Sequence, residues 1–155
     1  MLARIRGNPR PLVAIAIAIA LLLVFFVIVA PLFSTSSVAM AELSGGVPAS
    51  GVVGHQFEVD LGLDNTGLSV ISPTCILVSV QGSLRPDYAI FQGVDRETFT
   101  DGKVCGGALN GQDSISIRVF VTPLATGRAS ISLTPAKGGA AVGSAFSGTL
   151  MVVAA

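Results

Sequence analysis

The sequence predicts an all-β extracytoplasmic domain, an antiparallel β-sandwich, preceded by one N-terminal transmembrane helix. Three observations predict it. A purely apolar run lies near the N terminus between two prolines, short segments further on alternate apolar with polar residues, and turn-forming residues separate those segments with no amphipathic helical pattern among them.

The first element is the apolar run. Pro11 and Pro31 bracket 19 uninterrupted apolar residues, Leu12 to Ala30. Its Ile–Ala alternation is one of bulk rather than polarity, so it carries no half-buried strand signal. As a helix it would reach about 28 Å, close to the hydrocarbon thickness of a bilayer. In lipid, a lone span must satisfy its own backbone hydrogen bonds, which only a helix does. Arg4, Arg6 and Arg10 precede the run, and no Lys or Arg follows until Arg85, so the positive-inside rule places the N terminus in the cytoplasm. The competing reading is a signal peptide cut after Ala41, since Ala39-Met40-Ala41 has the A-x-A form. The run exceeds the roughly 7–15 residues of a signal core, which favours retention. In either case the remainder is exported. A lipoprotein is excluded by the absence of Cys near the span, and a pilin-like N terminus lacks its acidic residue.

The resulting organisation is a basic cytoplasmic N terminus over residues 1–10 and a transmembrane signal anchor over 11–33. A flexible linker rich in Ser and Gly follows over 34–46, and then a sandwich over 47–155. Residues 42 to 155 hold all nine acidic residues and six of the nine basic ones, a net of −3. No basic stripe exists, which removes nucleic acid as a partner. The exported part is one domain, long enough to bury a core of its own.

Within it, Phe57, Val59, Leu61 and Leu63 alternate with Glu58, Asp60, Gly62 and Asp64, a half-buried strand that Asn65-Thr66-Gly67 ends. Cys75 to Val80 reads as a second strand stopped by Gly82, and Tyr88 to Phe91 as a short third. Thr98 to Thr100 and Lys103 to Cys105 flank Asp101-Gly102, a two-residue hairpin signal. After a turn at Asn110-Gly111, Ile115, Ile117, Val119 and Val121 mark the clearest strand, with Phe120 on its outward side. Ala129, Ile131 and Leu133 mark the next strand, and a loop from Pro135 to Ser144 leads to a closing strand over Thr149 to Val153. The immunoglobulin-like class fits this spacing best, with a jelly roll or small barrel as the alternatives that periodicity does not separate.

Cys75 and Cys105 both fall in the exported part, where a disulfide is the expected state. It would close a loop of about 31 residues and contribute about 3.5 kcal/mol in the chain-entropy account. A metal or redox role would call for CxxC spacing or more than one His, and the chain has neither.

The run VCGGALNGQDSISIRVFVTPLATGRASISLTP, Val104 to Pro135, resembles the second half of the immunoglobulin-like repeats of bacterial and archaeal cell-surface proteins, including adhesion-type ones. Val53 to Val59 and on to Gly67 is similar to their opening strand, while Leu84 to Thr100 departs from the pattern. The resemblance implies a seven-stranded, non-enzymatic module and carries over no functional residue.

Candidates for chemistry are few. His55 is the sole imidazole and stands beside a strand, where a solvated histidine is the plain reading. Glu58 and Asp60 share an outward strand face about 7 Å apart, without the Trp or Tyr platform a sugar cleft uses. Asp95, Glu97 and Asp101 could offer oxygen ligands to calcium but lack the spacing of the twelve-residue loop. Gly106-Gly107 and Gly138-Gly139 lack the Lys and helix of a phosphate cradle. No catalytic residue, cofactor or small-molecule substrate is therefore assigned. The surface candidates are Phe120, Leu150 and Val152, apolar residues on strands that could form an interface or an edge pairing. The expected function is a membrane-anchored, non-catalytic module that meets an envelope or membrane protein, with the lipid bilayer held through residues 11–33. The alternative is a secreted structural or assembly subunit.

Overall fold

The computed structural model describes residues 40–93 and 96–155. The expected transmembrane helix over 11–33 lies outside the described residues. The strands are β1 Ala41–Gly46, β2 Ser50–Val52, β3 Phe57–Asn65, β4 Thr74–Gln81, β5 Leu84–Phe91 and β6 Arg96–Thr98. They continue with β7 Lys103–Cys105, β8 Ser114–Pro123, β9 Gly127–Lys137, β10 Ala140–Ala141 and β11 Phe146–Val153.

Alternation dictates the faces. In β3, Val59, Leu61 and Leu63 point inward, and in β8 Ile117, Val119 and Val121 do; all six are buried. They meet Ile76 of β4, Ala129, Ile131 and Leu133 of β9, and Leu150 and Val152 of β11 from the other side. Each fully buried Val, Leu or Ile contributes about 1.5–3 kcal/mol of transfer free energy, which makes this interleaved layer the main source of stability. The first sheet has the order β1-β3-β8-β5-β6, and the second β2-β11-β9-β4-β7 with β10 beside β9. Every pairing is antiparallel except β2 with β11, which is parallel. With β1, β3, β8 and β5 as A, B, E and D, and β11, β9 and β4 as G, F and C, the topology is that of an immunoglobulin-like sandwich.

Several segments differ from the sequence expectation, and three of them show why. The linker read over 34–46 is strand in its last part: Ala41–Gly46 pairs with β3 in full register, from Ala41↔Asn65 to Gly46↔Asp60. Glycines suggested a tether, yet Gly45 is there for close approach, since a Cβ at its φ of 151° would collide with the Asp60 carbonyl. The second segment is β5, which begins at Leu84 rather than Tyr88. β6 pairs only with Tyr88 to Ile90, so Pro86 lies where β5 has no outer neighbour to donate to. The third is β9, which runs through Pro135 to Lys137 where a loop was expected. A strand residue directs its N–H and C=O to the same neighbour, and the Pro135 carbonyl accepts from Val142 N at 2.9 Å. The missing donor therefore faces β10 and costs no bond to β4.

Candidate interaction surface

The outward face of the first sheet carries a lateral row of cationic and aromatic side chains. The guanidinium of Arg96 on β6 lies 3.5 Å from the centroid of the Tyr88 ring on β5. Tyr88 in turn stacks on Phe120 of β8, with ring centroids 4.5 Å apart and planes 17° from parallel. The guanidinium of Arg118 sits 6.0 Å from the Phe120 centroid and 3.6 Å, Nε to Oε1, from Glu58 of β3. The register produces this row, because Tyr88 pairs with Phe120 and Phe120 with Glu58 across adjacent strands. Both rings are half-buried, while Arg96 and Arg118 are exposed. Aromatic stacking and cation–π contact order these side chains in advance, so a partner would meet a surface already fixed.

Beside the row, a bulge between Pro86 and Tyr88 turns Asp87 into a polar hub. Its carboxylate accepts from Thr122 Oγ1 at 2.6 Å, from Gln56 Nε2 at 2.8 Å and from Arg85 Nε at 2.7 Å. Burial alone would raise its pKa, but the hydrogen bonds of Thr122, Gln56 and Arg85 and the charge of Arg85 outweigh it and hold the carboxyl below its ordinary value. A depressed carboxyl stabilises the fold above its unfolded pKa, so this contribution is lost as pH falls through the lowered folded value. Tyr88 OH donates to Gln56 Oε1 at 3.3 Å and so ties the hub to the aromatic row.

The outward face of the second sheet is different. Ser79, Gln81, Ser130, Ser132, Ser147 and Thr149 line a shallow open depression of about 620 Å³ without a charge among them. Ser147 donates to Ser132 across the strands at 3.0 Å. At the upper end of this sheet Cys75 and Cys105, directly paired on β4 and β7, form the expected disulfide. It joins neighbours within one sheet rather than bridging the two. Between the cysteines the chain visits the first sheet as β5 and β6, so the bond returns that excursion to its starting strand.

The sequence candidates fare unequally. Phe120 does face outward, covered on one side by Tyr88. Leu150 and Val152 are core residues, 2% and 3% exposed, which corrects their reading as surface. The closing strand is apolar on both faces, and the outward pair is Met151 and Val153. Nor is that strand an edge, because β2 and β9 flank it. His55 is exposed in the turn before β3. Glu58 and Asp60 both point outward, with Glu58 engaged by Arg118. Asp95 lies outside the described residues, Glu97 is on β6, and Asp101 occupies the left-handed turn of the expected hairpin, with φ of 51°. Among the described residues no group of three His, Cys, Asp or Glu could hold a metal ion. Sequence reasoning missed the Arg96–Tyr88 pair and Asp87, since both depend on which strands become neighbours. The one local signal was an aromatic at an outward position on each of two strands.

No protein-family model matches the chain, and no curated protein matches it. Solved structures do match its fold. The cohesin module of a Clostridium perfringens family 33 glycoside hydrolase is 15% identical, with 76% of this chain and 99% of that one covered and a TM-score of 0.55. AvmM, which catalyses macrocyclization in alchivemycin A biosynthesis, is 15% identical over 76% of this chain and 89% of its own, with a TM-score of 0.53. Native alpha-2-macroglobulin of Escherichia coli, from domain MG7 to the C terminus, matches at 15% identity with a TM-score of 0.51, over 77% of this chain and 17% of that one. At such identities the likeness is one of fold, and the fold is an immunoglobulin-like sandwich shared by proteins of unlike activity.

Proposed function

We propose that the chain is a membrane-anchored, extracytoplasmic and non-catalytic interaction module whose contact surface is the outward face of the first sheet. The row Arg96, Tyr88, Phe120, Arg118 and Glu58 is the observation that carries this reading. Tyr and Arg are the residue types that dominate interface energetics, and here they are held rigid on strands rather than on loops. The Asp87 carboxylate is taken up by Thr122, Gln56 and Arg85 of the same chain, which fits a structural use of that group. An anchor adds effective concentration for a partner in the same envelope, so modest affinity suffices. Retention of the anchor is favoured by Ala41, which is 2% exposed, opens β1 and donates its N–H to Val142 O at 2.9 Å. A cut after Ala41 would remove that residue from a formed sheet.

The test is site-specific photocrosslinking of the full chain in its native membrane. A benzophenone side chain at Tyr88 is expected to capture a discrete partner, and the same probe at Ser132 on the opposite sheet is not. Capture at Ser132 with none at Tyr88 would move the surface to the other face and overturn the assignment.

A further inference from the structure

The end of the sandwich at which the described chain begins is apolar. Met40, Leu68 and Val70 are exposed there, Leu68 by 73%, the largest value among the exposed large apolar residues. From Thr66 to Thr74 no residue is charged. The loop is nonetheless firmly built. Asn65, itself buried, donates from Nδ2 to Ser69 O at 2.8 Å and to Asn110 O at 2.9 Å, and its Oδ1 accepts from Gly67 N at 3.1 Å. Gly111 passes so close to the Leu68 carbonyl that a Cβ there would collide with it. Met40 O accepts from Thr66 N at 2.9 Å and from Gly67 N at 3.4 Å, so the incoming chain lies against this same loop. An apolar side chain held out into solvent by a buried Asn and a close glycine contact is a presented feature rather than a loose one.

From these observations we infer that the Leu68 loop, with Val70 and Met40, inserts into the interfacial region of the bilayer that carries the anchor. The inference rests on the membrane reading of residues 11–33 and adds to it a second contact. Only residues 34–39 separate that segment from Met40, and six extended residues span at most about 20 Å. Nine residues of β3 separate this end from the other by about 30 Å, so the Leu68 end is the one within reach of lipid. Charge chooses the lipid: Glu42, Asp64 and Asp113 stand near this end against Lys137, whose Nζ donates to Val70 O at 3.2 Å. The contact is apolar insertion into a zwitterionic interface, not attraction to anionic headgroups. Its consequence is orientation, with the strands raised from the membrane and the Arg96–Tyr88–Phe120 face turned sideways along it.

The chain contains no Trp, which makes the test direct. Full-length Leu68→Trp and, as the distal control, Leu124→Trp are reconstituted in phosphatidylcholine vesicles with and without brominated acyl chains. Leu124 is 53% exposed in the loop after β8 at the opposite end. Because both sites are exposed, thermal midpoints equal to that of the unsubstituted chain are expected and confirm folding. The fluorescence of the residue-68 probe is expected to shift to the blue and to be quenched in brominated vesicles, as for interfacial insertion, while the residue-124 probe is unchanged. Equal emission from both probes in a chain that resists alkaline extraction would overturn the inference and leave the anchor standing. A blue shift at residue 68 without bromine quenching would assign the loop to a contact with a second copy of the chain and also overturn it. Release of the chain by alkaline extraction would instead refute the membrane reading on which the inference rests.

Discussion

Asn65 shows how much a single polar side chain decides at one end of this fold. It is 1% exposed, and it closes the core while tying the β3–β4 loop to the β7–β8 loop. Replacing it with Ala leaves Gly67 N and the carbonyls of Ser69 and Asn110 without this partner. The expected cost is about 2–3 kcal/mol, read as a lower urea midpoint at unchanged slope. A midpoint within error of the unsubstituted chain would show that water replaces the amide. At the same scale, the strand-ending role of Asn65-Thr66-Gly67 was legible in the sequence, because an Asn that bonds its own backbone two residues on is a local property. Its bond to Asn110, 45 residues away, was not, since it depends on two loops meeting. Leu150 and Val152 failed for a related reason: with apolar residues on both sides of a strand, alternation cannot say which side is core.

Among the elements, the long strands β3, β8 and β9 were legible because each buries one face and repeats it over many residues. β1, β2 and the start of β5 were not. They carry Ser, Gly, Ala and Pro without a sustained apolar alternation, and they are strands because a neighbour's ladder holds them. The disulfide belongs to this scale. It pins β7, an edge strand of three residues, to β4 and closes an excursion with a sequence separation of 30. Changing both Cys75 and Cys105 to Ser is expected to cost about 3 kcal/mol and to lower the thermal midpoint by about 10 °C. An unchanged midpoint would mean that the paired strands alone hold the excursion in place.

For the whole molecule, strand count and alternation were enough to name the sandwich, and sheet order then separated it from a jelly roll or barrel by placing β1, β3, β8 and β5 against β11, β9 and β4. The candidate surface was legible only as Phe120; Tyr88 and Arg96 join it through pairings that no local pattern contains. The proposed role depends on this sandwich staying attached to the membrane by the apolar run that precedes it. Intact-mass measurement of the protein recovered from cells, after partition between alkaline-washed membranes and the soluble fraction, tests it most directly. An uncut chain of 15.7 kDa in the membrane pellet is the expected result. A soluble product beginning at Glu42 would contradict it.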